Sequence, residues 1–117
     1  RRRQNIAQSY NEGLAGLPIV LPAERPDATQ VYHLYVIACT ERDQLKKTLA
    51  EYGVLAGVHY PEPGHRHGGY DRIAIMPEKG LPVTESLGGK IVSLPMYPEL
   101  TASSVNKVIS AIRGCVG

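Results

Sequence analysis

The chain has 117 residues, 43% of them apolar and 21% charged, with a formal net charge of +2 and neither Phe nor Trp. That length supplies one domain with a core of its own, and the balance excludes a polar, disordered tail. Acids and bases are mixed along the chain, so no nucleic-acid partner is expected, and Arg1-Arg2-Arg3 reads as a solvated helix start.

The first predicted element is a helix over residues 4–16, where Ile6, Tyr10, Leu14 and Leu17 recur on one face before Gly16 and Pro18 end it. A short apolar run, Ile19-Val20-Leu21, leads into a polar loop through Pro22 and Pro26 to Gln30. Val31–Cys39, VYHLYVIAC, is rich in β-branched and aromatic residues and carries the clearest strand signal. It is apolar on both faces, which predicts a central strand covered on two sides. His33 within it reads as a core-edge imidazole bonded to backbone. Cys39 reads as a small buried hydrophobe, and with Cys115 it gives no CxxC spacing, hence neither a zinc site nor a disulfide framework.

Thr40-Glu41-Arg42-Asp43 is a variant of the capping box, with Thr40 as cap and Asp43 at the positive helix end. Leu45, Leu49 and Tyr52 mark that helix's buried stripe and Gly53 its stop. Val54–Tyr60 is predicted as a strand, Ile73–Met76 as a short strand and Pro82–Gly88 as a helix with Pro in its first turn. Ile91–Leu94 is a further strand, and Thr101 caps a last helix with the stripe Val105, Val108, Ile109 and Ile112. Strands and helices mix without regular alternation, so the fold class is α+β: a small, mostly antiparallel sheet with helices packed on one side. No apolar stretch nears the roughly 20 residues of a membrane span and no signal peptide opens the chain, so no membrane partner and a cytoplasmic location are expected.

Chemistry concentrates in HYPEPGHRHGGY, residues 59–70, which holds three of the four histidines. Its prolines and glycines put these side chains on irregular backbone, where a fixed scaffold can aim them at a ligand. His59, His65 and His67 can in principle converge on zinc, with Glu62 or Asp71 adding an oxygen, although Arg66 would set a cation beside the ion. The same groups can instead bond sugar hydroxyls or phosphate oxygens, or decorate a solvated loop. A nucleophile elbow, a phosphate-cradling glycine motif and a carboxylate pair of recognisable spacing are all missing. Read from its residues alone, the chain lacks the parts of a catalyst.

Four segments, in order, resemble the C-terminal region of the DegT/DnrJ/EryC1/StrS family of pyridoxal-phosphate sugar aminotransferases. They are Arg2-Arg3 leading to Ala7, Tyr10 and Leu14; Tyr32-His33-Leu34-Tyr35; His59 through Tyr70; and Val92-Ser93-Leu94-Pro95-Met96-Tyr97-Pro98 followed by Leu100-Thr101. Two positions depart from the family wording: His67 stands where a Gln is usual, and Gly69 where an Ala is usual.

The resemblance implies the small C-terminal domain of a fold-type-I enzyme, spanning residues 1–117, with the large pyridoxal-phosphate domain lying outside this sequence. The parent enzyme would move an amino group from glutamate or glutamine onto a nucleotide-linked keto-sugar or cyclitol, as a homodimer. By the same resemblance His59, Tyr60, His65, Arg66 and His67 would face the substrate. No catalytic residue, metal or bound cofactor is expected in this chain alone, because Lys46, Lys47, Lys79, Lys90 and Lys107 match no Schiff-base motif. The alternative is a free-standing module that binds a ligand or metal through the His59–His67 loop.

Overall fold

The structure, a computed structural model, describes residues 1–70 and 72–117. Four helices, α1 (Arg2–Gly13), α2 (Arg42–Glu51), α3 (Pro82–Gly88) and α4 (Ala102–Val116), accompany two strands, β1 (Tyr35–Ala38) and β2 (Ile91–Leu94). The strands pair antiparallel with Tyr35 opposite Leu94 and Ala38 opposite Ile91. Single antiparallel bridges, Val20 to Ala38 and Gly57 to Ser93, extend the sheet on both edges. The predicted α+β class with a small antiparallel sheet is what forms.

Side chains alternate across a strand, so Tyr35 and Ile37 share a face with Val92 and Leu94. All four are buried, in one core with Ile6, Tyr10 and Leu14 of the α1 segment, Leu45 and Leu49 of α2, and Val105, Val108 and Ile112 of α4. The other face carries Val36, Ala38 and Ile91, all partly exposed, and the buried Ser93. Helix α3 buries no residue.

With no Phe or Trp available, tyrosines build the centre. Tyr35 lies 4.9 Å from Tyr10 and 5.8 Å from Tyr32, ring centre to ring centre. Buried phenols need partners: Tyr35 donates to Asn11 Oδ1 at 2.5 Å and Tyr10 donates to the Pro95 carbonyl at 2.9 Å. Burial pushes both phenols' pKa values well above the ordinary tyrosine range, with the neighbouring tyrosines adding to the shift.

Several boundaries differ from those the sequence predicts. The first helix starts at Arg2 and stops at Gly13, before Gly16 turns the chain with φ 77°. Only Tyr35–Ala38 of the predicted Val31–Cys39 strand pairs, because Tyr32 takes a φ of 50° and breaks the extended run. That conformation is costly for a bulky residue; here it accompanies burial of the Tyr32 ring against Tyr35. His33 is consequently exposed rather than at the core edge.

Thr40 does not cap α2; Glu41 occupies the cap position without a side-chain bond, while Asp43 does lie in the first turn. Tyr52 falls off the α2 stripe and is exposed, whereas Gly53, at φ 69°, ends the helix as expected. Val54–Tyr60 contributes only the Gly57 bridge, and the 73–76 stretch forms no strand. Thr101 does cap α4, its hydroxyl accepting from Ser104 N at 3.2 Å. None of the described helices is long and apolar enough to cross a membrane.

Candidate functional site

Gly57 exchanges two backbone bonds with Ser93, at 3.0 and 2.8 Å, and so delivers the following residues onto the sheet's less covered face. His59 folds back there: its Nδ1 and the Ser93 Oγ share a hydrogen bond of 2.9 Å. The imidazole lies against the Gly57 backbone, where a Cβ would come within 2.8 Å of His59 Cε1. The His59–Tyr60 peptide is cis, and the two rings meet edge to face with centres 5.7 Å apart.

Tyr60 itself is 73% exposed. His59, Tyr60, Pro63 and the carboxylate-bearing Glu62 line one part of a groove of about 300 Å³, and Thr84, Leu87 and Ile91 line another.

The next histidines are aimed by a 3-10 turn at Gly64–Arg66, closed by Arg66 N donating to the Pro63 carbonyl at 2.9 Å. Both His65 Nε2 and Arg66 Nη2 reach Glu85 Oε1 of α3, each at 3.2 Å. The hydrogen bond from His65, then that from Arg66, holds the Glu85 carboxyl below its usual pKa. The His65 side chain retains 13% exposure and Arg66 58%. His67 turns elsewhere, with Nδ1 at 3.6 Å from Glu62 Oε2 on the open surface.

The three imidazoles therefore take three separate partners, Ser93, Glu85 and Glu62. No group of three or more His, Cys, Asp or Glu side chains among the described residues is placed to hold a metal ion. Asp71, named above as an oxygen ligand, lies outside the described residues.

What the arrangement offers is a set of hydrogen-bonding groups rather than a reaction centre. Ser93 and His59 look at first like a nucleophile and its base. Ser93 is 5% exposed, however, so its hydroxyl is shut off from any substrate in the groove. His59, Tyr60 and Thr84, which border the groove, carry an imidazole, a phenol and a hydroxyl, and Arg66, two residues past Gly64 of the same lining, is half-exposed with a positive charge. Such a set suits hydroxyl and phosphate oxygens.

Sequence reasoning named the five loop residues but missed Ser93, Gly57 and Glu85, which fix the loop's backbone and rings. Ser93 stood within a quoted motif; nothing in the local sequence marks Glu85 as a partner for residues twenty positions away.

The fold is shared with solved aminotransferases. A DegT DnrJ EryC1 StrS aminotransferase from Brucella abortus superposes with a TM-score of 0.92 at 35% identity, over 99% of this chain and 31% of that one. DesV of S. venezuelae, solved in complex with a ketimine intermediate, gives 0.91 at 39% identity, over 97% of this chain and 30% of that one.

Among curated proteins, the chain is 40% identical over 113 residues to the dTDP-3-amino-3,4,6-trideoxy-alpha-D-glucose transaminase of Streptomyces venezuelae, covering 96% of this chain and 30% of that protein. It is 37% identical over 113 residues to the erythromycin biosynthesis sensory transduction protein EryC1 of Saccharopolyspora erythraea, covering 96% and 31%. Residues 1–113 match the DegT/DnrJ/EryC1/StrS aminotransferase family, and the chain belongs to it. It spans about 30% of the length of these relatives.

Proposed function

We propose that this chain is the C-terminal small domain of a pyridoxal-phosphate-dependent aminotransferase acting on a nucleotide-linked keto-sugar or cyclitol. In this reading the amino donor is glutamate or glutamine, the assembled enzyme is a homodimer, and the large cofactor-binding domain belongs to the same polypeptide. The observation that carries the proposal is the family match over residues 1–113, a span that includes the histidine loop.

The surface supports an absent neighbour. Ile75 is 99% and Leu55 90% exposed, and Val31, Ile73 and Val83 are also largely bare. Gathered on one face, such side chains would supply the apolar surface that a covering neighbour buries. The radius of gyration, 15.8 Å, also exceeds the roughly 13 Å expected of a compact chain this long.

Pyridoxal phosphate asks for a lysine to form an imine, an anion cradle for its phosphate and a carboxylate at its ring nitrogen. The residues present do not make that set. Lys46 and Lys47 stand on α2 and Lys107 on α4, while Lys79 and Lys90 sit in turns. Lys107 lines an apolar groove with Tyr97 and Leu100, and among the described residues no carboxylate lines that groove. In this reading the cofactor belongs to the large domain.

This chain's own part is to close the substrate cleft. His59, Tyr60, His65, Arg66 and His67 would meet the sugar hydroxyls and the diphosphate, with Arg66 supplying charge.

The test is made on the full-length polypeptide. Keto-sugar transamination is expected from it and not from residues 1–117 alone, and Tyr60→Phe or Arg66→Ala is expected to raise KM with a smaller change in kcat. Turnover by the 117-residue chain unaided, or unchanged KM in both variants, sinks the proposal.

A further inference from the structure

Ser93 lies on the sheet's less covered face yet is buried, and among the described residues its hydroxyl has one hydrogen-bond partner, the His59 imidazole. A buried hydroxyl proton without an acceptor is expensive. The acceptor within reach is His59 Nδ1, at 2.9 Å. If Nδ1 carried a proton, that proton would point at Oγ and the serine's own proton would be left unmatched in a dry site. The favourable arrangement has Ser93 Oγ–H donating to an unprotonated Nδ1, which places the ring proton on Nε2.

Gly57 completes the clamp. The ring lies where a Cβ would stand, so only glycine lets the imidazole reach Ser93 from this backbone. Two backbone bonds join Gly57 to Ser93 itself, which ties the ring's floor and its hydrogen-bond partner into one unit. Tyr60 adds an edge-to-face contact, and His59 otherwise stays exposed.

We propose that Ser93 and Gly57 are positioning residues that fix His59 as the Nε2–H tautomer, making it a hydrogen-bond donor toward the groove and not a proton acceptor. The proposal deepens the sugar-aminotransferase reading by giving His59 a defined role there: Nε2–H donates to a substrate oxygen, a hydroxyl, carbonyl or phosphate, and abstracts no proton. The tautomer itself is a property of the protein without substrate or cofactor, so it can be right or wrong independently of that reading.

The experiment is long-range 15N–1H NMR of the imidazoles in the intact polypeptide, at a pH where the ring is neutral, with His59 assigned by its loss in His59→Gln. Expected is an Nδ1 shift in the unprotonated range and an Nε2 shift in the protonated range, without tautomer averaging. Ser93→Thr keeps the hydroxyl and should preserve this pattern. Ser93→Ala should move both nitrogens toward the averaged values of a free imidazole, with backbone amide changes confined to residues near 57–60 and 93. Gly57→Ala should do the same by lifting the ring off its floor, and it guards against a silent adjustment at the serine.

A protonated Nδ1 in the native protein overturns the proposal. So does a pattern unchanged in both Ser93→Ala and Gly57→Ala. Should His59→Gln leave the KM of the full enzyme untouched while the tautomer is as expected, the sugar-contact role fails and the clamp stands.

Discussion

Tyr35 and Tyr60 carry the same side chain to opposite ends. The first is fully buried, flanked by Tyr10 and Tyr32, with its hydroxyl on Asn11. The second is 73% exposed beside an open groove. Around Tyr35, α1, α2, α4 and the sheet meet each other's needs, and polar atoms find partners from distant parts of the chain. Around Tyr60, the loop is held by a handful of polar ties to β2 and α3, and further along the chain apolar side chains such as Ile73 and Ile75 are left bare. One region spends its side chains on folding; the other holds them ready for something outside the chain.

The largest effect that separates the two regions is expected from truncation. Tyr35→Ala empties the centre of the core and orphans Asn11 Oδ1, and it should destabilise the fold by about 3–5 kcal/mol in chemical denaturation. Tyr60→Ala should stay within about 0.5 kcal/mol, as a surface change does. Comparable losses from the two variants would mean that the loop belongs to the cooperative core, and the contrast would collapse.

Alkaline titration probes the same contrast more gently. Burial raises the pKa values of Tyr10 and Tyr35 above those in the unfolded chain, so the folded state holds these protons more tightly. Their contribution is therefore complete below the ordinary phenol pKa of about 10 and is lost as pH climbs through the raised folded values. Denaturation midpoints should fall above about pH 10, and Tyr35→Phe should make the fall shallower. An identical pH profile in that variant would show that the buried phenol is not the group responsible.

Helices and the paired strands were legible because their signals are local. Pro82 fixed the start of α3, Thr101 the cap of α4, and Gly53 the stop of α2. The Val31–Cys39 strand came out shorter because Tyr32 traded extended geometry for burial of its ring, a tertiary gain that no strand propensity registers. Tyr52 likewise kept helical spacing yet lies past the end of α2, where the stripe no longer faces the core. At the site, motif wording picked out the histidines, but a zinc-like spacing and a ligand loop read alike until partners are known. Those partners, Ser93 and Glu85, come from residues 34 and 20 positions away, and such pairings are invisible to any local pattern.

The smallest expected effect bears on what holds the loop. Glu85 accepts from both His65 and Arg66, and its depressed carboxyl pKa is the mark of those two contacts. Exposed ion pairs contribute little to global stability, and α3 buries nothing that would unfold with them. Glu85→Gln keeps the side chain's shape while removing its charge, so the midpoint of thermal unfolding should not move measurably. Amide exchange across residues 64–67 and 82–88 should nonetheless quicken by roughly a few-fold, since local opening is governed by local ties. A carboxyl whose folded pKa is lowered secures the loop above the ordinary carboxyl range and releases it as pH falls through the lowered value. Acid should thus bring the native chain's protection, corrected for the intrinsic exchange rate, down to that of Glu85→Gln, while the variant's protection stays flat over the same range. Equal exchange in the two proteins at neutral pH would show that Glu85 does not latch the loop, and the ordering of His65 and Arg66 would have to be sought in the Pro63–Gly88 contact instead.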